Sequence, residues 1–335
     1  MTLKSIFTIL LVILVLASCS SNPLDVDASK TQVNIGFVNL DSNLVNTRSA
    51  NRIVMHHKFM DEISEIYEYN LGYCIRMSNA SDSSFEKSLS MFLQDPYIKR
   101  LEKRIAEKFS DLNTYKTEIV DGFKHLKYHI PNGKIPENVV FMNSLFNSNA
   151  FSTEKQIGIG LDNYLGASTD VVKELPNEPY YEWIKDAMDP KFMTRDAVCS
   201  WVMTHYVEEV DGNLAEHIIR WGKILYLTQA AFPNKEPELI LRYSTVDYKW
   251  ALDNEYALWK YLVDEKMLFT VNELNTRNLL KEGPFTIGLP EKGPDRLGQF
   301  LGYRMILKYM EAKEITVEQL IKTPYTDILV EYEID

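Results

Sequence analysis

The apolar positions of this chain follow three different patterns, and each predicts a different kind of structure. Residues 6–16 are an unbroken apolar block apart from Thr8, behind a short lead that carries Lys4. Residues 20–32 are polar, include Pro23 and show no period. From 52 to 77 the apolar residues Ile53, Phe59, Met60, Ile63, Ile66 and Tyr67 fall near helical spacing, which predicts an amphipathic helix. After the polar break Ser81-Asp82-Ser83-Ser84, residues 85–93 read as a short helix stopped by Asp95-Pro96. Pro96 then opens a charged helix over 97–109 with Leu101, Ile105 and Phe109 on one stripe. Residues 112–128 continue as helix up to Ile130-Pro131-Asn132-Gly133.

The period changes after Pro136. Val139-Val140-Phe141-Met142 and Gln156-Ile157-Gly158-Ile159-Gly160-Leu161 are short apolar runs separated by turn residues, and they predict paired strands. Gly158 and Gly160 share one face of the second strand, a place for close approach. Beyond Pro190 helical spacing returns over 194–209, 214–232, 245–266, 298–311 and 316–321. The segment 283–290, with two glycines and two prolines, breaks that pattern as a loop. The expected fold class is therefore α+β, predominantly α-helical, as a single domain with a small sheet in its middle.

The first block is too short to span a bilayer, which takes roughly 20 apolar residues. It is followed by Leu16-Ala17-Ser18-Cys19, and charge, apolar core, small residues and cysteine in that order are the signature of a bacterial lipoprotein signal. Residues 1–18 then form the signal peptide and Cys19 is the acylated anchor. Residues 19–32 read as a flexible tether reaching on the order of 20 Å, and 33–335 as the domain. The membrane, through Cys19, is the first expected partner. Ser20 stands where some bacteria place an inner-membrane retention aspartate, so the expected location is the periplasmic side of the envelope, with the outer membrane favoured.

The net charge of −11 argues against nucleic acid and against a surface that hugs anionic lipid. With Cys19 acylated, Cys74 and Cys199 remain, each among apolar neighbours, and two buried free thiols are favoured over a disulfide.

Candidate chemistry is sparse. His125 and His129 share a helix face at the spacing that can hold zinc. Leu126, however, stands where a zinc peptidase needs its glutamate, and His129 lies where the helix should end, so side chains at a helix end are the better reading. His56, His57, His205 and His217 have no second ligand at useful spacing. Pairs such as Glu208-Glu209, or Glu331 with Glu333, read as solvated surface. There is no Gly-x-Ser-x-Gly, no Gly-x-x-x-x-Gly-Lys and no Cys-x-x-Cys, and no cofactor is implied. The aromatic run from Tyr248 through Trp250, Tyr256 and Trp259 to Tyr261 reads as packing, or as a surface for a partner.

Several strings together carry a family resemblance. Phe141-Met142-Asn143-Ser144-Leu145-Phe146-Asn147-Ser148-Asn149-Ala150-Phe151, Ile157-Gly158-Ile159-Gly160-Leu161-Asp162-Asn163-Tyr164-Leu165-Gly166 and Gly222-Lys223-Ile224-Leu225-Tyr226 resemble the gliding-motility lipoproteins of the GldB type from Bacteroidetes. So do Gly283-Pro284-Phe285-Thr286, Gly288-Leu289-Pro290, and Pro294-Asp295-Arg296-Leu297-Gly298 leading to Gly302-Tyr303. The likeness runs with gaps from about Phe92 to the C-terminus and includes the lipobox. It implies an anchored protein of the gliding and type IX secretion apparatus, with other envelope proteins as partners. It also looks distantly similar to zinc peptidases of zincin-like fold, in which a strand such as 156–161 precedes a helix bearing His-Glu-x-x-His. Here that helix reads Thr194-Arg195-Asp196-Ala197-Val198-Cys199-Ser200-Trp201, and the later Glu-Gly position reads Trp221-Gly222, so no zinc ligand carries over. The resemblance therefore implies a pseudoenzyme, a non-catalytic scaffold. Its former cleft would be lined by Asn143, Asn147, Asn149, Gly158, Gly160, Asp162, Tyr164, Trp221, Pro284, Phe285, Arg296 and Tyr303. The alternative is a cell-envelope hydrolase with a carboxylate site, such as Asp162 with Asp196 or Glu255.

Overall fold

The computed structural model describes residues 22–77, 82–289 and 293–332. Its strands are β1 (Gly36–Asn39), β2 (Asn138–Met142), β3 (Ala150–Ser152) and β4 (Gln156–Gly160). The helices before the second strand are α1 (Leu40–Asn46), α2 (Arg52–Glu62), α3 (Ser64–Tyr69), α4 (Asp82–Gln94), α5 (Pro96–Lys108) and α6 (Asn113–His129). After the sheet come α7 (Asp170–Lys173), α8 (Glu182–Asp186), α9 (Met193–His205), α10 (Leu214–Ala231), α11 (Pro237–Leu241) and α12 (Thr245–Asp253). The chain closes with α13 (Glu255–Asp264), α14 (Glu273–Leu280), α15 (Leu297–Ala312), α16 (Val317–Lys322) and α17 (Tyr325–Val330). The fold is α+β and predominantly helical around one small sheet.

The sheet has the order β1-β2-β4-β3. β1, β2 and β4 run parallel, with Phe37 opposite Val139 and Val139 opposite Ile157. β3 returns antiparallel on the edge, with Phe151 opposite Gly158. β2 and β4 are buried on both faces, which is why both read as continuous apolar runs rather than alternating ones. The sheet separates two cores. Val139 and Phe141 point into the large core with Phe123, Trp201, Ile218 and Phe300. Val140 and Met142 point into a smaller one built by Leu44, Phe59, Ile63, Tyr67, Phe85 and Leu89. Cys199 lies in the first and Cys74 in the second, so the two buried thiols are unpaired on opposite sides of the sheet.

Most predicted helices are present, and their ends follow local chemistry. Asp95 accepts from the Tyr97 and Ile98 amides at 2.8 and 3.1 Å and Pro96 takes the first turn, so α5 starts where the proline predicts. The helix expected over 52–77 is divided at Ile63, whose backbone leaves the helical region (φ −137°, ψ 35°) while its side chain is fully buried. It ends in a π turn over Asn70–Cys74. The helix expected over 245–266 is two helices. Asn254 turns its amide back to the Trp250 carbonyl at 2.8 Å and interrupts the ladder.

The glycines of the second apolar strand are explained by the chain itself. A methyl on Gly158 would stand 2.6 Å from the Phe151 ring, and one on Gly160 would stand 2.1 Å from the Ser148 carbonyl. The close approach there is by β3 and its loop. Gly222 and Gly302 serve the helices in the same way, because a methyl on either would lie 2.2 or 2.0 Å from backbone of the facing helix. α10 and α15 therefore cross in direct backbone contact.

The expected tether is shorter than the sequence suggests. Leu24 and Ala28 are buried, the Asn22 amide donates to the Pro233 carbonyl at 2.8 Å, and His129 Nε2 lies 3.3 Å from the Leu24 carbonyl. Two small apolar side chains spaced four apart are enough to seat a polar segment on the end of α6, a signal too weak for periodicity. Among the described residues no helix is long and apolar enough to cross a membrane. Residues 1–21, with the signal block and Cys19, lie outside the described residues.

Candidate functional site

The three parallel strands end on the same side of the sheet, and each delivers a polar residue there. Asn39 closes β1 and caps α1 by accepting from the Ser42 amide at 3.0 Å, which places Asp41 in the first helical turn. β2 ends into Asn143 and Ser144, and β4 ends into Leu161 and Asp162. In open sheets the crevice beyond the carboxyl ends of parallel strands is the usual place for a ligand.

Asn143 is the hub. Its backbone N–H donates to Asp41 Oδ2, and its side-chain amide donates to Glu102 Oε1 at 2.6 Å. Leu145 and Phe146 follow with φ of 52° and 60°, two consecutive non-glycine residues in the left-handed region. That conformation costs on the order of 1–2 kcal/mol per residue. It is held because it turns the Leu145 amide onto Asn143 Oδ1 and the Phe146 amide onto Asp162. Asp162 accepts from the Ser144 amide at 2.8 Å, from the Ser144 hydroxyl at 3.0 Å and from the Phe146 amide.

A crevice of about 830 Å³ opens over this floor. Asp41 and Glu102 line it from below, Val45, Ile105, Phe109 and Leu161 form apolar walls, and Arg52, Lys99, Lys103 and Lys116 stand around it. Burial pushes the Glu102 carboxyl up to about 7, with the Asn143 bond opposing and Asp162 adding to the rise. Burial likewise raises Asp162 to about 6 against its hydrogen bonds. Asp41 is raised well above the carboxylate range by burial and then by the neighbouring Glu102. Among the described residues neither Asp41 nor Glu102 is in an ion pair, and burial leads the causes of both shifts.

A second carboxylate cluster sits on α9 and has the opposite character. Asp196 is buried and receives Arg195 at 3.1 Å, Arg242 at 2.9 Å and the Tyr164 hydroxyl at 2.9 Å. Arg242, itself at φ 56°, lies over the Phe192 ring and donates to the Ala187 carbonyl. Arg296 continues the network to Asp295 at 2.9 Å and Glu282 at 3.5 Å. The other polar groups of α9 are also engaged: Thr194 with Glu118 at 2.6 Å, Ser200 with Ser152 at 2.9 Å, and His205 with the Thr153 carbonyl at 2.9 Å. α9 thus lies fastened along β3. These residues do not fit a zinc ion, because the one carboxylate on the helix is clamped by two guanidinium groups. Among the described residues no three histidine, cysteine or carboxylate side chains are grouped to hold a metal.

The residues expected to line one cleft fall in five places. Asn143 and Asp162 are buried beneath the crevice, where Asn143 bonds Asp41 and Glu102 and Asp162 bonds the Ser144 and Phe146 amides. Asn147 and Asn149 are exposed on the following loop, and Gly158 and Gly160 are covered within the sheet. Tyr164 and Arg296 are buried in the arginine network, with Pro284 and Phe285 exposed on the loop beside it. Trp221 and Tyr303 belong to the crossing of α10 and α15, where the Tyr303 hydroxyl donates to Gln229 at 3.2 Å. Of the alternative carboxylates, Glu255 is bound by Arg304 at 2.8 Å and Tyr332 at 2.7 Å. His125 and His129 have separate backbone partners, the Asp121 and Leu24 carbonyls. Asp41 and Glu102 were not singled out by the sequence. Asp41 had a readable signal, a short apolar run followed by a capping asparagine, whereas Glu102 is one of many glutamates on a charged helix.

The sequence model of one family, described as gliding motility protein GldB, matches residues 21–333. No curated protein and no solved structure matches the chain. The match spans the docked N-terminal segment, both cores, the carboxylate crevice and the arginine network, and on that extent the chain belongs to the gliding motility protein GldB family of lipoproteins.

Proposed function

We propose that the protein is a membrane-anchored, non-catalytic component of the gliding and type IX secretion apparatus, held by lipid on Cys19 and binding other envelope proteins. The observation that carries the non-catalytic reading is the state of α9. On the resemblance to zinc peptidases this helix would bear the metal ligands and the general base. In this chain its only carboxylate is neutralised by Arg195 and Arg242 and its hydroxyls are spent on neighbouring elements. A hydrolase must polarise a carbonyl and generate a nucleophile; on α9 the carboxylate and hydroxyls are engaged, and the one free thiol, Cys199, is buried in the large core. Metal analysis of the purified protein tests this, with no bound zinc expected. Stoichiometric zinc that a chelator removes would overturn it.

One observation favours a second reading, a carboxylate-based hydrolase. Asp41 and Glu102 meet through Asn143 with their ionisation pushed toward neutrality, the setting in which one carboxyl can act as acid and the other as base. Gliding should survive Asp41→Asn and Glu102→Gln on the scaffold reading. Loss of gliding in either variant, with thermal stability not lowered, favours the enzyme.

A further inference from the structure

A second cavity, of about 900 Å³, lies between the C-terminal end of α9, the first turns of α10 and the end of α16, and shares no residue with the carboxylate crevice. Arg220 and Lys223 line it from neighbouring turns of α10, and each is more than nine-tenths buried. The two cations are compensated differently. Arg220 donates to the Glu208 carbonyl and to Glu209 Oε1, both at 2.7 Å. Lys223 donates to neutral acceptors, the Ile321 and Thr323 carbonyls at 3.1 and 2.6 Å, and among the described residues it is in no ion pair. An ammonium carries three donors, so the two carbonyls leave one unspent. Burial pushes the Lys223 amine down to about 8, as expected for a charge taken out of water without a counter-charge.

We propose that this cavity binds a single carboxylate carried on a small apolar body, seated on Lys223 and Arg220. A short carboxylic acid and the C-terminal residue of a peptide present that same group. The charge balance selects it. Arg220 is already matched by Glu209, so the floor holds one excess positive charge, that of Lys223. Glu208 and Glu209 are exposed at the mouth and Glu216 also lines the cavity, so a dianion such as phosphate meets carboxylates around the one charge it could neutralise. A monoanion matches Lys223 and recovers the cost of its burial. Met203, Val207, Ile219, Pro324 and Tyr325 supply apolar wall for the body of the ligand. The Tyr325 hydroxyl accepts from the Asn213 amide at 3.0 Å and keeps its own proton to donate. The site stands apart from α9's carboxylate and from the crevice, and does not depend on either reading of them.

The test follows thermal unfolding of the full chain in dodecyl maltoside micelles at pH 7 and constant ionic strength. Isovalerate serves as the free acid and N-acetylglycyl-leucine as the peptide end, each compared with its own amide. Both carboxylates should raise Tm saturably, and about tenfold more of the amide should be needed for the same rise, the worth of one charge-assisted contact. The tighter of the two carboxylates identifies the source. Lys223→Met should abolish the preference for acid over amide. Glu209→Gln, at an exposed side chain, removes the counter-charge of Arg220 and should tighten the carboxylate several-fold. No saturable rise, equal rises with acid and amide, a larger rise with inorganic phosphate, or a preference that survives Lys223→Met overturns the site. If Lys223→Met does not fold, Glu209→Gln decides alone, and an unchanged affinity there overturns it.

Discussion

The two carboxylate clusters of this protein are built from the same residue types and put to opposite uses. On α9, Asp196 is sealed, paired with two arginines and bonded by a tyrosine. At the carboxyl edge of the sheet, Asp41 and Glu102 share an asparagine, open into a crevice and, among the described residues, form no ion pair. Burial alone does not separate them, since both lose water. The presence of compensating guanidinium groups does, because a paired buried charge becomes part of the framework while an unpaired one stays strained and available. A functional reading from family likeness points to α9, and the physics points to the sheet edge.

The sharpest way to break that contrast is Asp196→Ala. It leaves the buried Arg195 and Arg242 without the carboxylate they share and should cost about 3–5 kcal/mol, measured by urea unfolding. A loss under about 1 kcal/mol would show that the cluster is not structural. Gly302→Ala tests the same half through packing. Its methyl would meet the Ile218 carbonyl at 2.0 Å, so α10 and α15 must separate, with a loss of roughly 3 kcal/mol.

At the sheet edge the sign reverses. Glu102 ionises from a reference value of 4.5 in the unfolded chain and at about 7 in the fold, so the fold holds the proton more tightly. The stability from this group is complete below pH 4.5 and is lost as pH rises toward 7. Glu102→Gln should therefore raise stability by about 1–2 kcal/mol at pH 8 and change little at pH 4. Equal destabilisation at both pH values would make Glu102 an ordinary framework carboxylate.

The smallest expected effect concerns the partition between the cores. Burial pushes the Cys74 thiol up to about 12, and both thiols are covered. Neither should react with a maleimide until the protein unfolds, and prompt labelling of Cys74 alone would show that the small core opens independently of the large one.

Legibility from sequence followed the strength of local signals. The helices opened by Pro96 and closed at Ile130-Pro131 were readable because proline and capping chemistry act within a few residues. The strands at 139–142 and 156–161 were readable as buried apolar runs. β1 was missed because four residues next to a polar segment form a strand only when β2 is beside them. The docking of Leu24 and Ala28 was missed because burial of two small side chains leaves no period. Within the site, Asn143 and Asp162 were found through family strings, whereas Asp41 and Glu102 were not. Their meaning lies in the approach of α1 and α5 to the end of β2, from positions up to 102 residues apart in sequence.

The sequence alone determined the class of the fold, the positions of most helices, the lipobox and the family. Those properties come from short-range periodicity and from ordered strings. Tertiary structure alone decided which carboxylates are neutralised and which line a crevice, and whether residues 22–28 are loose or seated. A charge is silent or active according to what stands within a few ångströms of it, and that neighbour is set by packing across the sheet, not by adjacency in the chain.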